Sequence, residues 1–135
     1  MKIYIAYRFT GEDYKTLQNT LAGISDALTK AGHEVYCSIN DDDFFHQNNY
    51  SIRQILDHEF VELSKVDQVF ALIDSDNRSE GLLIELGYAL AKGKPIILAV
   101  RKGVNIHSSK AIANQIIEFE NYEHLHQIIS TLKII

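Results

Sequence analysis

Two almost continuous apolar runs, residues 66–73 and 95–100, constrain the fold more than any other feature of the sequence. Runs of this length bounded by polar residues are typical of strands that a parallel sheet buries on both faces. The residues between them have the spacing of a turn followed by a helix, so the three segments predict a βαβ unit. Its turn, residues 74–79, then lies at the carboxyl end of a strand, where open α/β sheets bind ligands.

The start of the predicted helix carries three candidate functional residues. Ser79 is a favourable N-cap, and Gly81 in the first turn lets a ligand approach backbone N–H groups that bind anions. Glu85 follows Gly81 by four residues and so lies on the same face of the helix. The spacing predicts that it borders a buried stripe formed by Leu82, Leu83, Leu86, Ala89 and Leu90. Two interpretations stay open for Glu85: a functional carboxylate, or a border residue paired with a neighbour such as Lys92.

The rest of the chain repeats the alternation of strand and helix. Strands are predicted at 2–7, 33–38 and 116–119 beside the two runs above. One helix is predicted to end at 31–32, two others cover 50–64 and 122–132, and a short one follows Ser108 and Ser109 and runs through Gln115. Residues 39–49 show neither period and predict a long loop. The sum is a single α/β domain over residues 1–135. We expect a doubly wound, flavodoxin-like or Rossmann-like parallel sheet of five strands in the order 2-1-3-4-5.

Composition and charge narrow the classes of partner. With 135 residues, 46% of them hydrophobic, the chain is long enough to bury the core of one ordinary domain. A formal net charge of -5 with scattered basic residues argues against a nucleic-acid polymer or an anionic membrane as partner. Cys37 is the only cysteine, the first residues do not resemble a signal peptide, and no apolar run approaches the roughly 20 residues that span a membrane. We expect a cytoplasmic protein.

Motifs of the common cofactor and metal sites are absent from the sequence. There is no GxGxxG after the first strand, no GxxxxGK[ST] P-loop, no HExxH and no GxSxG. Asp41, Asp42 and Asp43 are adjacent carboxylates, but they lack EF-hand spacing and are more typical of a solvated surface than of a cation site. We expect neither metal nor cofactor. The neighbouring Phe44 and Phe45 either cover an apolar ligand or fold onto the core.

Residues 79–95 follow the pattern Ser-x-Gly-x-x-x-Glu-Leu-Gly-x-Ala and then a Gly-Lys-Pro turn. With this pattern the sequence resembles the nucleoside 2-deoxyribosyltransferase superfamily, and in particular its 2′-deoxynucleoside 5′-monophosphate N-glycosidase branch. Four further features extend the resemblance over most of the chain: Tyr4 in the first strand, a helix ending at Ser64, the strand start at 66–67, and Ser109 before a small helix.

This resemblance implies an enzyme that cleaves or transfers the N-glycosidic bond of a nucleoside 5′-monophosphate and forms a homodimer or higher homo-oligomer. It implies that Glu85 is the nucleophile at C1′ of the sugar and forms a covalent glycosyl intermediate, which splits the reaction into two displacements. Ser79 and Gly81 would hold the 5′-phosphate, and Ser109 would reach the phosphate in a neighbouring subunit's site. The two serines favour a nucleotide over a nucleoside as substrate.

Other positions match the family pattern less closely. Glu59 corresponds to a family Asp that assists at the base or sugar, and Tyr4 corresponds to a tyrosine near the sugar. The loop after the first strand is bulky, whereas the family's is typically small and Gly-rich, so the identity of the base is open. Ribose or deoxyribose, and hydrolysis or transfer, are open too. Further substrate contacts, to the phosphate and the ribose among others, are expected from Tyr7, Arg8, Gly11 and Asp74.

Two rival hypotheses remain. Residues 7–13 are similar to the opening of a TIR domain, whose enzymatic members cleave NAD at its N-glycosidic bond with a helix Glu. That alternative keeps Glu85 as the catalytic residue and replaces the substrate with NAD. The other alternative is a non-catalytic binding or signalling module, because one fold serves many functions.

Overall fold

The computed structural model describes residues 1–132 of the chain. Its centre is a parallel sheet of β1 (Lys2–Ala6), β2 (Glu34–Cys37), β3 (Gln68–Ile73), β4 (Ile96–Arg101) and β5 (Gln115–Phe119). The strand order is β2-β1-β3-β4-β5, which confirms the predicted α/β class and topology. Because β1 pairs with β2 on one side and β3 on the other, it lies inside the sheet.

Seven helical segments connect the strands in the described part of the chain. They are a 3₁₀ helix (Ser38–Asp41), α1 (Tyr14–Lys30), α2 (Asp42–Gln47), α3 (Ile52–Lys65), α4 (Glu80–Ala91), α5 (Ser108–Ile112) and α6 (Tyr122–Thr131). Within residues 1–132, no helix is long and apolar enough to cross a lipid bilayer.

Two sequence predictions about these elements were wrong. Residues 39–49 are not a plain loop, because the 3₁₀ helix and α2 occupy most of them, and each is too short to show a helical period. Helix α5 ends at Ile112 rather than near residue 115. Asn114 exchanges two hydrogen bonds with the backbone of Ile96, each 2.9 Å long, and this pairing carries the chain into β5 from Gln115 onward.

Helices cover both faces of the sheet and create two cores. Helices α1 and α6 pack on one face, where α1 buries one residue at each helical turn: Leu17, Leu21, Ile24 and Leu28. Helices α3 and α4 pack on the other face against Tyr4, Ala6, Val69 and Ala71. Strand residues therefore alternate between the two cores, as a sheet buried on both sides requires.

Helix α4 begins immediately beyond the carboxyl end of β3. Ser79 is its N-cap, as predicted, and the Ser79 hydroxyl accepts a hydrogen bond of 3.2 Å from Leu82 N. The cap fixes the first turn of α4 beside the ends of β1 and β3, with its remaining N–H groups directed toward the same edge of the sheet. Side chains from α4 and from the segments after the strands meet at this edge.

Candidate active site

A cleft of about 550 Å³ opens at the carboxyl ends of β1 and β3. Its walls come from the segment after β1, the 3₁₀ helix and α2, the inner face of α3 and the first turns of α4. The cleft brings together six of the predicted site residues: Tyr7, Arg8, Glu59, Ser79, Gly81 and Glu85. These residues come from three separate parts of the sequence, so the fold assembles them.

Glu85 lies in the buried face of α4 and not at its border. Its side chain is only 7% exposed and shares that face with Leu82, Leu86 and Ala89. The predicted stripe was wrong at Leu83 and Leu90, which are 45% and 53% exposed. Leucine and isoleucine occur all round α4, so the apolar spacing alone did not determine which face the sheet covers.

The predicted alternative of an ion pair with Lys92 is not observed. The Lys92 ammonium lies 5.7 Å from the centre of the Tyr88 ring. Among residues 1–132, Glu85 forms no ion pair with any basic side chain. A carboxyl group that is buried without a cation is costly to fold, which favours a functional explanation.

Glu59 and Tyr4 lie beside Glu85, with Glu59 in the lining of the cleft and Tyr4 behind it. Tyr4 is fully buried on β1, and its hydroxyl donates a hydrogen bond of 3.3 Å to Glu59 Oε2. Glu59 is 8% exposed on the inner face of α3. Three polar groups from β1, α3 and α4 thus form one buried cluster that faces the cleft.

Both carboxyl groups of this cluster hold a proton more tightly than in water. Burial raises the pKa of Glu85 well above its usual range, the charge of Glu59 raises it further, and the nearby Tyr4 hydroxyl opposes the rise. Burial also raises the pKa of Glu59, against hydrogen bonds from Ser38 and Tyr4 and the nearby His58. Two interacting buried carboxyl groups titrate as a pair, so the protonation of each depends on the charge of the other.

Ser38 is a part of the cleft that the sequence analysis missed. Its hydroxyl lies 3.0 Å from the hydroxyl of Tyr7, and its hydrogen bond lowers the pKa of Glu59. Ser38 is 7% exposed and directly follows β2. Ser38 is a polar residue at the carboxyl end of a predicted strand, and this position was the signal in the sequence that could have identified it.

The segment that was predicted as a loop forms one wall of the cleft through a polar and aromatic cluster. Asp41 accepts hydrogen bonds from the Tyr36 hydroxyl at 2.5 Å and from His58 Nε2 at 3.1 Å. Phe45 is buried and lines the cleft, whereas Phe44 is 45% exposed and does not. Phe45 therefore packs inward at the cleft. Phe44 neither lines the cleft nor folds onto the core.

Two arginines flank the start of α4. Arg8 Nη1 lies 2.6 Å from Glu12 Oε1, and Gly11 leaves room for this arrangement because a Cβ there would lie 2.8 Å from Arg8 Nη2. Gly11 itself does not line the cleft. Arg78 was missed by the sequence analysis, although a basic residue next to an N-cap is a visible signal. It is exposed and forms no ion pair within residues 1–132.

A second cavity of about 250 Å³ adjoins the cleft and contains the remaining predicted residues, Asp74 and Ser109. Asp74 Oδ2 accepts a hydrogen bond of 2.8 Å from the Tyr122 hydroxyl. Ser109 is 2% exposed and lines a cavity of its own chain. The expected ribose contact of Asp74 and the expected contact of Ser109 with a neighbouring subunit's phosphate stay predictions.

The acidic residues of the described chain do not gather into a metal site. Within residues 1–132, no group of three or more His, Cys, Asp or Glu side chains is arranged to hold a metal ion.

Cys37 is buried at the end of β2. Burial raises the pKa of its thiol to about 12, so the thiol is neutral at physiological pH.

The sequence profile of the nucleoside 2-deoxyribosyltransferase family matches residues 3–119. The chain belongs to this family. The matched region runs from β1 to the end of β5 and includes the cleft and the second cavity. No curated protein matches the sequence significantly.

Solved structures agree with this family's fold. The CMP N-glycosidase BcmB of Clostridium botulinum superposes with a TM-score of 0.72 at 19% identity, covering 98% of this chain and 100% of that one. A 2-deoxyribosyltransferase of Bacillus psychrosaccharolyticus gives 0.64 at 21% identity, with coverages of 93% and 90%. The SEFIR domain of IL-17 receptor B gives 0.57 at 11% identity, with coverages of 97% and 95%. At these identities the likeness establishes the fold alone.

Membership in the nucleoside 2-deoxyribosyltransferase family makes this chain an enzyme of the N-glycosidase or 2-deoxyribosyltransferase kind. A small nucleoside or nucleotide as substrate is consistent with the family and with a cleft of about 550 Å³. The resemblance found in the sequence is therefore confirmed at the level of family and enzyme class.

Proposed function

We propose that this chain cleaves the N-glycosidic bond of a nucleoside 5′-monophosphate through a covalent glycosyl intermediate on Glu85, and releases the free base. The sugar passes to water or to a second base. The observation that carries the proposal is the cleft itself, in which the buried carboxyl of Glu85 lies one helical turn from Gly81 at the start of α4. One end of the cleft suits an anion and the other suits attack on a sugar.

Glu85 supplies the nucleophile in this proposal. Its carboxylate attacks C1′ from one face of the sugar while the bond to the base breaks on the other face. The transition state has oxocarbenium character, and a carboxylate in a dry, low-dielectric site stabilises the developing positive charge strongly. Because burial raises the pKa of Glu85, its ionised form is costly in the empty cleft and gains most when positive charge develops beside it.

Glu59 transfers the proton that the reaction requires, and Tyr4 supplies a hydrogen bond. In the empty cleft Glu85 holds a proton more tightly than Glu59 does. When substrate binds, this proton passes to Glu59, which leaves Glu85 ionised for attack, and Glu59 then donates the proton to the departing base. In the second step Glu59 takes a proton from the incoming water or acceptor base. The Tyr4 hydroxyl remains a donor throughout, because burial and the two nearby carboxylates raise its pKa well above its usual range.

The start of α4 holds the 5′-phosphate. Ser79 and Gly81 line the cleft there, and Arg8 and Arg78 stand on either side. Free backbone N–H groups, the positive end of the helix and two guanidinium groups together form a strong site for a doubly charged phosphate. A Cβ at Gly81 would meet no protein atom within 4 Å, so packing does not require glycine at that position, whereas close approach of a ligand does.

The direct test measures base release by chromatography from a panel of compounds. The panel contains deoxyribonucleoside and ribonucleoside 5′-monophosphates, the matching nucleosides, and NAD. We expect release from at least one monophosphate at a kcat/KM about 100-fold above that for the matching nucleoside, because a site built for phosphate leaves its donors unpaired without it. Added free base shows whether the sugar is transferred.

The other outcomes of the panel assign the rival functions. Release of base from nucleosides at the same rate as from monophosphates would contradict the phosphate site. It would favour a deoxyribosyltransferase that acts on nucleosides. Release of nicotinamide from NAD alone would favour the NAD glycohydrolase. No release from any compound, with unchanged ligand binding in Glu85→Ala, would leave a binding module.

Changing Gly81 to Ala is expected to separate phosphate binding from stability. The added methyl group enters the cleft beside the phosphate, and we expect kcat/KM for the monophosphate to fall about tenfold to a hundredfold. Alanine is favoured over glycine in a helix, so the free energy of unfolding is expected to rise, by at most the helix-interior difference of about 0.5–1 kcal/mol because Gly81 lies in the first turn. Steady-state kinetics and urea unfolding measure the two effects.

Gly87→Ala is the matched control for this variant. Gly87 lies on the exposed face of the same helix, where a Cβ would also meet no atom within 4 Å, and it does not line the cleft. We expect at least as large a gain in stability and an unchanged kcat/KM. Equal kinetic losses in both variants would indicate a general effect on α4 and contradict a phosphate site at Gly81.

A further inference from the structure

We infer that the second cavity receives a polyhydroxylated group linked to the 5′-phosphate, so that nucleoside 5′-diphosphate sugars are a preferred substrate class of this site. The inference rests on the proposed function, because it places the nucleoside in the cleft and the phosphate at the start of α4. It adds a binding site for the part of the substrate that lies beyond the phosphate.

The cleft and the second cavity are continuous at the expected phosphate position. Arg8, Arg78 and Ser79 line both of them, whereas Glu85 lines only the cleft. A substrate with C1′ near Glu85 and its 5′-phosphate at Ser79 therefore points its far end into the second cavity. About 250 Å³ of space lies there, partly open to solvent, which is more than a monophosphate needs.

Polar side chains line this cavity. Ser109 is 2% exposed and lines it, so its hydroxyl is within reach of a group bound there. Arg78 lines both spaces and has no acidic partner among residues 1–132. A hydroxyl group and a guanidinium group at this place suit a ligand that carries phosphate oxygens and sugar hydroxyl groups.

Two carboxylates determine what kind of polar ligand fits. Asp74 uses one oxygen to accept a bond from the Tyr122 hydroxyl, and Asp76 uses one to accept a bond of 2.8 Å from Asn105 N. Both residues line the cavity, and the second oxygen of each carboxylate is available to accept bonds from sugar hydroxyl groups. A bare terminal phosphate would instead place its charge beside two carboxylates, which costs binding energy.

The diphosphate linkage fits the mouth of the cavity. Arg8 and Arg78 stand where the bridge between nucleoside and sugar would pass, and guanidinium groups pair well with phosphate oxygens. The reaction balances as for a monophosphate: water supplies a hydroxyl group to C1′ and a proton to the base. The diphosphate and the distal sugar leave unchanged on the released pentose.

The test compares three compounds of one base, such as UMP, UDP and UDP-glucose, with AMP, ADP and ADP-ribose as a second series. Base release gives kcat/KM for the unmodified enzyme, and calorimetry gives the dissociation constant for Glu85→Gln, which binds without turnover. We expect the diphosphate sugar to bind about tenfold more tightly than the monophosphate, the effect of one or two added hydrogen bonds, and to exceed the plain diphosphate.

Two cavity variants locate the gain. Ser109→Ala and Asp76→Asn, which replaces an acceptor oxygen by an amide donor, are expected to lower the ratio of diphosphate-sugar affinity to monophosphate affinity by about threefold to tenfold each. Ser130→Ala, on the exposed face of α6, is the control and is expected to leave the ratio unchanged. If Ser109 served only the 5′-phosphate, its loss would weaken both ligands equally and the ratio would stay constant.

The inference and the proposed function fail in different ways. Release of base from monophosphates with equal or weaker binding of the diphosphate sugar would overturn the inference and leave the function standing. Tighter, Ser109-dependent binding of the diphosphate sugar without base release from any nucleotide would overturn the function and keep the second site. Neither base release nor binding of either ligand would overturn both.

Discussion

Replacing Glu85 with glutamine is expected to lower the rate of base release by on the order of 10⁴-fold or more. The amide has nearly the shape of the carboxyl group, but it is a poor nucleophile at C1′ and brings no negative charge to the oxocarbenium-like transition state. Single-turnover assays by chromatography measure the loss. A variant that retained more than a tenth of the activity would show that Glu85 is not the nucleophile.

The same variant is expected to be more stable at neutral pH, which separates lost chemistry from lost structure. Because burial raises the pKa of Glu85, the folded protein binds its proton more tightly than the unfolded chain does. The stabilisation from that proton is present below the ordinary carboxyl pKa of about 4.5 and is lost as pH rises through the raised value. The glutamine variant does not undergo this loss. Its free energy of unfolding should therefore exceed that of the unmodified enzyme by an amount that grows with pH toward about 1–3 kcal/mol.

Urea unfolding at pH 5 and pH 8 measures this advantage. A smaller difference at pH 5 than at pH 8 is expected, and a constant difference would mean that Glu85 is charged in the folded protein at both pH values. An inactive variant that is also less stable at both pH values would contradict the expected gain in stability and indicate a loss of structure.

Replacing Glu59 with glutamine is expected to lower kcat/KM by about 10²-fold to 10⁴-fold, the usual contribution of a general acid. The loss of one charge has a second effect. The charge of Glu59 raises the pKa of Glu85, so the pKa of Glu85 falls in the variant and the acid limb of its pH profile moves to lower pH. The basic limb, which reports loss of the proton from the acid, is expected to disappear.

Glu62→Gln is the matched control for Glu59→Gln. Glu62 lies one turn further along α3, where Lys65 Nζ is 3.1 Å from its Oε1, and it does not line the cleft. We expect unchanged kinetics from this control. An N7-methylated purine nucleotide, whose base leaves without protonation, should restore most of the activity of Glu59→Gln. Equal losses on the methylated and ordinary substrates would contradict the role of Glu59 as the acid.

Much of the fold followed from the sequence because its signals were local and strong. The apolar runs of β3 and β4 and the helical spacing in α1 predicted the elements, and the rule for parallel sheets then predicted the order. The buried face of α4 did not follow, because Leu83 and Leu90 are as apolar as the buried leucines of the same helix. Only the contacts with β1 and α3 decide that Glu85 points inward.

The composition of the cleft was predictable only in part, for a similar reason. Residues on the recognisable helix start, such as Ser79, Gly81 and Glu85, were found from their spacing. Ser38 and Arg78 are single polar residues with no pattern around them, and their place at the cleft depends on how distant segments pack. The two short helices between β2 and α3 are too brief for periodicity to detect.

Tyr4, Glu59 and Glu85 stand on β1, α3 and α4, whereas Arg8, Asp74, Asp76 and Arg78 lie in connecting segments. The proposed bond-breaking groups and several of the proposed ligand-selecting groups are therefore carried by different kinds of chain. Connections tolerate substitution and insertion far better than packed elements do. Mutation in the segments after β1 and β3 thus gives this scaffold a route to new ligands over evolutionary time, without rebuilding the buried carboxyl pair.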